Sequence, residues 1–191
     1  LLSRDISESD RLRSLRRIRE QCVWLERLSG KLETLTMLEG SFKMKQASVP
    51  ALFKFVKTVV SDSLLEKNIS LVSECNISTL PMDADLMSIA LCNLIENAKR
   101  ASEKNSCIAL TAHDNFLEVS DNGQGIPPKD IDRVTEPFYM VDRSRSKKSG
   151  GIGLGLALVA QIAQVHGITL KINSTVGKGT SVRLIWNNVD N

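Results

Sequence analysis

Two glycine-rich runs set the strongest constraint on how this chain can fold. Six of its 11 glycines fall between Val119 and Leu158, in the run Asp121-Asn122-Gly123-Gln124-Gly125-Ile126 and in residues 150–156. Glycine adopts backbone conformations closed to other residues and lets the main chain approach a ligand without a Cβ in the way. The second run leads into a helix-like segment, and the free N–H groups and dipole at a helix start favour an anion. The sequence therefore predicts a phosphate-bearing ligand.

Two familiar phosphate-binding motifs do not fit these runs. A dinucleotide fold requires G-x-G-x-x-G directly after a strand, whereas here Gly151-x-Gly153-x-Gly155 follows a basic segment that does not read as a strand. A P-loop requires Gly-Lys followed by Ser or Thr, whereas Gly177-Lys178 is followed by Gly179. A different arrangement must account for the glycines.

Composition indicates one ordinary domain with an appendage, or two small domains. The 191 residues are 42% hydrophobic and 25% charged, which suits a chain with a proper core. The net charge of +3 gives no reason to expect nucleic acid as a partner. The four cysteines form no C-x-x-C pair and lie in apolar contexts, so we expect buried, reduced thiols rather than disulfides or zinc ligands.

The sequence contains no segment of the kind that crosses a membrane. No apolar run approaches the roughly 18 residues that a spanning helix needs, and nothing resembles a signal peptide. The chain begins at Leu1 without a methionine. We therefore expect a fragment of a longer protein, with any membrane contact made only through segments not in this chain.

Residues 7–39 are predicted to form one long, charged helix with a narrow apolar face. Apolar residues recur at helical steps of three and four, namely at Leu15, Ile18, Cys22, Leu25, Leu28, Leu32 and Leu35. Such a helix is unstable alone and needs a partner. It could pack on its own domain, but we expect pairing in a homodimer, because many turns follow before any other element.

The remaining chain predicts an α+β fold. We place a first domain at residues 1–40 and a second at residues 41–191. Strands are expected at residues 42–47, 69–72, 79–82, 107–113, 116–121, 169–174 and 180–186. Helices are expected at residues 49–66, capped by Ser48; at residues 84–102, capped by Asp83; and at residues 155–166, stopped by Gly167. This order predicts a two-layer α/β sandwich, a mixed sheet with helices on one face.

The predicted helix at residues 84–102 carries a polar face. Asn93 and Asn97 are four residues apart and Arg100 lies three beyond, so all three share that face. Burying two amides and a guanidinium without partners is costly. Amide oxygens can ligate Mg²⁺, which typically also reaches substrate phosphates. On these residues alone, a solvated helix face stays open as the alternative.

Five motifs follow one another along residues 93–180. They are Asn93…Asn97, Asp121-x-Gly123-x-Gly125, Glu136-Pro137-Phe138-Tyr139, Gly151-x-Gly153-Leu154-Gly155-Leu156 and Gly177-x-Gly179-Thr180. In this order they resemble the N box, first glycine box, F box, second glycine box and closing Gly-x-Gly-Thr of sensor histidine kinases. The resemblance covers residues 42–186 as the ATP-binding domain, and residues 7–40 resemble the second helix of the dimerisation and phosphotransfer domain. It implies the α/β sandwich shared with gyrase, Hsp90 and MutL ATPases.

The resemblance also implies an activity. A cytoplasmic, homodimeric kinase of this family binds ATP with Mg²⁺ and transfers the γ-phosphoryl group to a histidine, from which a response regulator takes it. No histidine occurs in the N-terminal helix segment, so the acceptor helix would precede Leu1. This piece alone is expected to bind nucleotide without phosphorylating itself.

At the base end of the implied site, Asp121 would accept a hydrogen bond from the adenine amino group. Thr180 would support it through water. Gly123 and Gly125 would let the chain turn beneath the base, and Ile126 would give an apolar contact.

At the phosphate end, Asn97 would hold Mg²⁺, Asn93 would assist and Arg100 would pair with phosphate oxygens. The turn through Gly151, Ile152, Gly153, Leu154, Gly155 and Leu156 would supply backbone N–H groups. Residues 127–150 would form a mobile lid that includes Tyr139 as a nucleotide contact. Its basic residues Arg143, Arg145 and Lys147 could reach the γ-phosphate, with a merely solvated loop as the alternative.

Position 93 separates this chain from ATP-hydrolysing members of the superfamily, where the corresponding residue resembles a glutamate general base. An amide cannot accept that proton, so rapid hydrolysis is not expected. The chain departs from the family pattern at Met140, where many members carry an arginine, and at Ala101, where an aromatic residue often stacks near the base.

Three other hypotheses follow from the same motifs. An anti-sigma-factor-type serine kinase is disfavoured by Asn93 and by the long preceding helix. An ATP-gated clamp of the gyrase or MutL type is disfavoured by the missing glutamate and the short chain. A degenerate module that binds no nucleotide is disfavoured by the intact glycine boxes, although Met140 and Ala101 leave it open.

Overall fold

The first element is a 30-residue helix, α1, at Glu8–Met37. The computed structural model describes residues 8–37, 44–142 and 151–187 of the chain. Leu12, Leu15, Ile18 and Leu25 of α1 are each more than half exposed. The predicted long helix is therefore present with these four apolar side chains uncovered, whereas the predicted stop at Gly40 and the boundary between the two domains lie outside the described residues.

Helix α2, at Val49–Leu65, begins where the sequence predicts. The Ser48 hydroxyl accepts a hydrogen bond from the Ala51 backbone N–H at 3.3 Å, and Pro50 occupies the first turn, where no N–H is needed. The helix buries one side against the core through Val49, Leu52, Phe53, Val56, Val60 and Leu64. The strand before it, β1, spans Lys45–Ser48 and so lies later than predicted; residues 42 and 43 are outside the described ranges.

Helix α3, at Ala84–Ala101, carries the predicted polar face. One Asp83 carboxylate oxygen accepts hydrogen bonds from the backbone N–H groups of Asp85 and Leu86, both at 3.1 Å. The opposite face packs into the core through Met87, Leu91 and Ile95, which are fully buried. Helix α4 follows at Gly155–Val165 and is terminated by Gly167, whose φ of +65° suits glycine.

Within residues 8–37, 44–142 and 151–187, seven strands lie in two sheets. The remaining strands are β2 (Ser70–Cys75), β3 (Thr79–Met82), β4 (Cys107–His113), β5 (Phe116–Asp121), β6 (Thr169–Thr175) and β7 (Gly179–Ile185). β1 pairs with β3, and the main sheet has the order β2-β4-β5-β7-β6. β2 runs parallel to β4 and the other neighbours are antiparallel, so the predicted mixed sheet is confirmed.

The core lies between this sheet and α2, α3 and α4. Alternate residues of the central strands are buried, as period-two patterning requires, including Ile108 and Leu110 of β4, Leu117 of β5 and Leu184 of β7. The register places Asp121, at the end of β5, opposite Thr180 of β7, which in turn lies opposite Ser174 of β6. Three chain segments that are distant in sequence therefore meet at one edge of the core.

The cysteines are unpaired, as predicted, but they are not all buried. Cys22 is exposed on α1, and Cys75, Cys92 and Cys107 are half-buried. The expectation of a buried thiol is wrong for Cys22, which lies on an exposed part of α1. Burial, with a smaller contribution from Glu96, raises the pKa of Cys92 to about 11, so its thiol stays protonated. In the described ranges, no helix combines the length and apolarity needed to cross a membrane.

Candidate functional site

A single cleft gathers most of the residues that the sequence predicts for the site. It opens between α3, the start of α4 and the edge formed by β5 and β7. The helices and strands contribute Asn97, Arg100, Asp121 and Thr180 to its lining. The loops and the first turn of α4 contribute Gly125, Ile126, Tyr139, Gly151, Ile152, Gly153, Gly155 and Leu156.

One end of the cleft is built around the Asp121 carboxylate. Its Oδ1 accepts the Gly123 backbone N–H at 2.7 Å, and the backbone N–H of Thr180 also bonds to the carboxylate. Burial raises the pKa of Asp121, and these two backbone donors offset part of that rise. A carboxylate has about four acceptor positions, so Asp121 can still accept from a ligand N–H.

Gly123 donates its backbone N–H to this carboxylate and is not part of the cleft lining. A Cβ at this position would lie 2.6 Å from the carbonyl carbon and oxygen of Ala101, far inside normal contact distance. Gly125 has φ of +71°, and a Cβ there would overlap the Thr175 carbonyl. Both glycines are needed because the chain passes directly against neighbouring backbone.

Ser174 joins the loop and strands around Asp121, and sequence reasoning missed it. Its hydroxyl accepts the Ile126 backbone N–H at 2.8 Å, lies 2.9 Å from the Gly179 carbonyl oxygen and 2.8 Å from Thr180 Oγ1. A serine in a predicted strand gives no signal of this role, because the contact depends on the pairing of β6 with β7.

The other end of the cleft contains the two carboxamides. A Cβ on Gly155, the first residue of α4, would lie 3.2 Å from both Oδ1 and Nδ2 of Asn97 and 3.5 Å from Asn93 Oδ1. Asn93 Nδ2 donates to the Ile89 carbonyl at 2.8 Å, which turns Oδ1 away from its own helix. Both asparagines therefore face the N-terminus of α4, where backbone N–H groups favour an anion.

This end of the cleft fits a hydrated Mg²⁺ ion. Asn97 offers an oxygen ligand of the kind that Mg²⁺ takes, and the ion normally retains several waters. The missing side chain at Gly155 leaves space directly beside that carboxamide, which a Cβ would fill. No cluster of three or more His, Cys, Asp or Glu suited to a metal occurs in the described part of the chain.

Helix α1 contributes a residue that the sequence did not indicate. Lys31 Nζ donates to Asn93 Oδ1 at 2.7 Å, and Lys31 lines the cleft. The two residues are 62 positions apart, and Lys31 sits in a charged helix surface that reads as solvated. The Lys31 ammonium group is therefore hydrogen-bonded to the side-chain oxygen of Asn93, one of the two asparagines predicted to lie near the phosphates.

Arg100 lines the cleft, and its guanidinium lies 3.9 Å from a Glu96 carboxylate oxygen one turn back on α3. Glu96 also accepts a hydrogen bond from Ser63 of α2. The Glu96 carboxylate thus contacts both Ser63 of α2 and Arg100 of α3.

The F box packs against the second glycine box. The Phe138 backbone N–H donates to the Gly153 carbonyl at 2.9 Å, and a Cβ on Gly153 would lie 2.7 Å from the Phe138 carbonyl carbon. The Tyr139 hydroxyl donates to Asp130 Oδ1 at 2.6 Å, with the Arg133 guanidinium 4.4 Å from the ring centroid. The bond to Asp130, and then burial, raise the pKa of Tyr139.

Three predicted residues lie apart from the cleft lining, and three others lie outside the described residues. The Leu154 side chain is 1% exposed and packs in the interior, so only its backbone can serve a ligand. The side-chain oxygen of Asn93 is bonded to Lys31, and the backbone N–H of Gly123 is bonded to the Asp121 carboxylate. Neither residue is part of the cleft lining. The basic residues Arg143, Arg145 and Lys147 fall in the 143–150 gap of the structure. Met140 and Ala101, where the sequence departs from the family pattern, both line the cleft.

The fold and this cleft define an ATPase-type domain. The chain belongs to the family of histidine kinase-, DNA gyrase B- and HSP90-like ATPases, whose model matches residues 82–189, more than half of the chain.

The relatives found by sequence are sensor histidine kinases. Sensor histidine kinase YkoH of Bacillus subtilis (strain 168) is 30% identical over 175 residues, which are 90% of this chain and 38% of that protein. Signal transduction histidine-protein kinase ArlS of Staphylococcus aureus (strain USA300) is 38% identical over 96 residues, which are 48% of this chain and 21% of that protein. The chain thus spans well under half of the length of these curated relatives.

Solved structures of histidine kinases share the fold. Full-length ShkA in complex with AMPPNP aligns with a TM-score of 0.72 at 21% identity, covering 94% of this chain and 39% of that one. Acinetobacter baumannii histidine kinase AdeS aligns with a TM-score of 0.69 at 21% identity, covering 91% of this chain and 84% of that one. Both alignments extend over the predicted α/β sandwich.

Proposed function

We propose that this chain is the catalytic region of a histidine protein kinase. It binds ATP with Mg²⁺ and places the γ-phosphoryl group for transfer to a histidine on a dimerisation helix that is not in this chain. A response regulator aspartate then receives the phosphoryl group. The relatives named sensor histidine kinases favour this function over a serine kinase or a non-catalytic module.

The observation that carries the proposal is the placement of Asp121 and Asn97 in one cleft. Asp121 offers an acceptor at one end, suited to the amino group of adenine. Asn97 faces the N-terminus of α4 at the other end, suited to phosphates and their metal ion. A purine triphosphate has these two chemical features at opposite ends, so one molecule satisfies both.

The residues of the cleft act by positioning and by charge neutralisation. When bound, Mg²⁺ supplies charge neutralisation of the phosphates, with Asn97 as its protein ligand and Asn93 as a second amide nearby. The N–H groups at the start of α4 bind phosphate oxygens, and Arg100 pairs with them. Asn93 supplies no general base, so the γ-phosphoryl group is preserved for a protein acceptor instead of being passed rapidly to water.

A nucleotide titration tests the site assignment. Calorimetry with ADP and with a non-hydrolysable ATP analogue, each with and without Mg²⁺, should show binding that Mg²⁺ strengthens. Asn97→Ala should remove most of the Mg²⁺-dependent gain, whereas Asp121→Asn should weaken binding about 10- to 100-fold in both conditions, as loss of a charge-assisted hydrogen bond implies. Gln161→Ala, an amide lost from the exposed side of α4, is the matched control. Unchanged affinity in both site variants would refute the assignment.

Phosphoryl transfer is tested by supplying the acceptor. Mixed with Mg·ATP and a separate acceptor-helix domain, the chain should produce acid-labile phosphohistidine on that domain. The chain alone should remain unlabelled, because its N-terminal helix has no histidine. Acid-stable phosphoserine on the acceptor would contradict the proposal and support the serine-kinase alternative.

We further propose that the active form is a cytoplasmic homodimer paired through α1, with membrane contact only through segments outside this chain. The uncovered apolar side chains of α1 support the pairing. In sedimentation experiments, the double variant Leu15→Glu and Leu25→Glu should weaken dimerisation more than tenfold, since each buried leucine contributes about 1.5–3 kcal/mol. Leu65→Glu, a matched change at an exposed leucine of α2, should leave the dimer intact; an equal effect of both changes would argue against pairing through α1.

A further inference from the structure

Ser174 sits at a junction of three hydrogen bonds beside the predicted base-reading residues. Its Oγ receives the Ile126 backbone N–H at 2.8 Å and lies 2.9 Å from the Gly179 carbonyl oxygen and 2.8 Å from Thr180 Oγ1. A serine hydroxyl has one proton to donate and two lone pairs to accept. The three contacts therefore use the complete hydrogen-bonding capacity of this one atom.

The chemistry of the partners decides where each proton lies. The Gly179 carbonyl can only accept, so it must receive the single Ser174 proton. The Ile126 N–H can only donate, so it fills one Ser174 lone pair. Thr180 must then donate its own hydroxyl proton to the second Ser174 lone pair. The reverse assignment, with Ser174 donating to Thr180, would leave two oxygens 2.9 Å apart with no proton between Ser174 and Gly179.

This assignment leaves the Thr180 hydroxyl oxygen with lone pairs only. Thr180 lines the cleft next to Asp121, which presents a carboxylate. The nearby backbone N–H groups of Gly123 and Thr180 are already bonded to that carboxylate, and the N–H of Ile126 is bonded to Ser174. The Asp121 and Thr180 side chains therefore present acceptors to this edge of the cleft.

We propose that Ser174 is a positioning residue that makes the site select a 6-amino purine over a 6-oxo purine. It acts through Thr180, by holding the threonine proton away from the ligand. An amino group at C6 can donate to the acceptors at this edge, whereas a 6-oxo group places another acceptor against them and gains no hydrogen bond. The inference rests on the proposed nucleotide function and adds to it a determinant of base choice in β6, outside the five sequence motifs.

The test compares ADP with inosine diphosphate, which has oxygen in place of the amino group at C6. The wild-type chain should prefer ADP about tenfold or more. Ser174→Ala frees the Thr180 hydroxyl to rotate and donate, so the ADP:IDP affinity ratio should fall about fivefold, the scale of one net hydrogen bond. Ser174→Thr retains the hydroxyl and should keep the wild-type ratio. A ratio of affinities is insensitive to a loss of folded protein, so a merely structural role would not change it.

Ser181→Ala is the matched control. Ser181 adjoins Thr180 on β7, and its buried hydroxyl has no hydrogen-bond partner in the described part of the chain. This variant should keep the wild-type ratio within twofold. Thr180→Val removes the hydroxyl directly and should lower the ratio in the same direction even if Ser174→Ala does not fold.

The outcomes separate this inference from the proposed function. If the wild-type chain binds neither diphosphate, the nucleotide function itself is refuted. If it binds ADP but Thr180→Val, or folded Ser174→Ala, keeps the wild-type ADP:IDP ratio, only the role of Ser174 is overturned.

Discussion

At the scale of single residues, Asp121 illustrates how a binding group can oppose stability. Burial makes its charged form less favourable, and the two backbone N–H bonds from Gly123 and Thr180 offset only part of that effect, so its pKa is raised. The Asp121 carboxylate can accept a hydrogen bond from a ligand N–H because burial leaves it incompletely solvated. The same property makes it a cost to the empty fold at neutral pH.

Asp121→Asn should therefore separate stability from binding. An acid whose pKa is raised on folding destabilises the fold above that pKa, because the unfolded chain releases its proton more readily. The stability of the variant relative to wild type should increase as pH rises from below the ordinary value of 3.8 toward neutrality. Chemical denaturation of both proteins without nucleotide, measured from pH 3 to pH 7, checks this. A difference that shrinks with rising pH would show that Asp121 is instead stabilised by folding.

At the scale of elements, the turn between β6 and β7 is fitted tightly to the end of β5. Gly179 has φ of +110°, and a Cβ there would overlap the Asp121 carbonyl oxygen. Gly177, two residues earlier in the same turn, has φ of +75° but no atom within 4 Å of an added Cβ. Both glycines thus have a positive φ that would be strained for a residue with a Cβ, and only at Gly179 would a Cβ also meet neighbouring backbone.

Alanine substitution at these two positions should separate the two requirements. Gly177→Ala should cost about 1 kcal/mol of unfolding free energy from backbone strain alone. Gly179→Ala adds a clash with the β5 backbone and should cost about 3 kcal/mol or more, with reduced nucleotide affinity because Asp121 is displaced. Urea denaturation of the two variants, followed by titration of the folded protein with ADP, measures both effects. Equal costs at the two positions would show that the close approach to β5 does not matter.

Local signals were sufficient to predict most of the elements and part of the site. Ser48 and Asp83 cap helices where their side chains can bond to the following N–H groups, and Gly167 ends α4 with positive φ. These effects operate within a few residues. To predict that Asp121 and Asn97 lie in one cleft, the order of the motifs was needed as well. The spacing of residues alone does not specify which strand end packs beside which helix.

Contacts between distant segments could not be predicted from the sequence. Ser174 meets Ile126 across 48 positions and Lys31 meets Asn93 across 62. Each depends on the register of two elements after packing, and neither residue type is unusual for an exposed strand or a charged helix. Leu154 belongs to the second glycine-rich run, but the direction of its side chain, into the core, is decided by the packing of α4.

At the scale of the whole molecule, α1 reaches the predicted metal end of the cleft. The Lys31 ammonium is bonded to Asn93 Oδ1 at 2.7 Å, beside the carboxamide of Asn97 and the N-terminus of α4. A divalent cation bound at this place would be repelled by the ammonium group. Binding of Mg·ATP and the contact of α1 with α3 should therefore oppose each other.

Lys31→Met should strengthen binding of the Mg·ATP analogue several-fold while changing its Mg²⁺-free affinity much less. Arg19→Met removes the same charge from an exposed position on α1 and should have little effect on either affinity. Calorimetry of both variants with and without Mg²⁺ provides the comparison. Weaker binding by Lys31→Met in both conditions would instead mean that the ammonium group helps to hold the phosphates.

Under the proposed kinase function, the bond between Lys31 and Asn93 would couple α1 and the cleft in both directions. Since coupling between two binding events is reciprocal, a twist or shift imposed on the long helix from upstream would alter how firmly the cofactor is retained. Conversely, filling the pocket would loosen the helix from the catalytic body. The Lys31 ammonium group would thus couple a displacement of α1 to the occupancy of the cleft by nucleotide and metal ion.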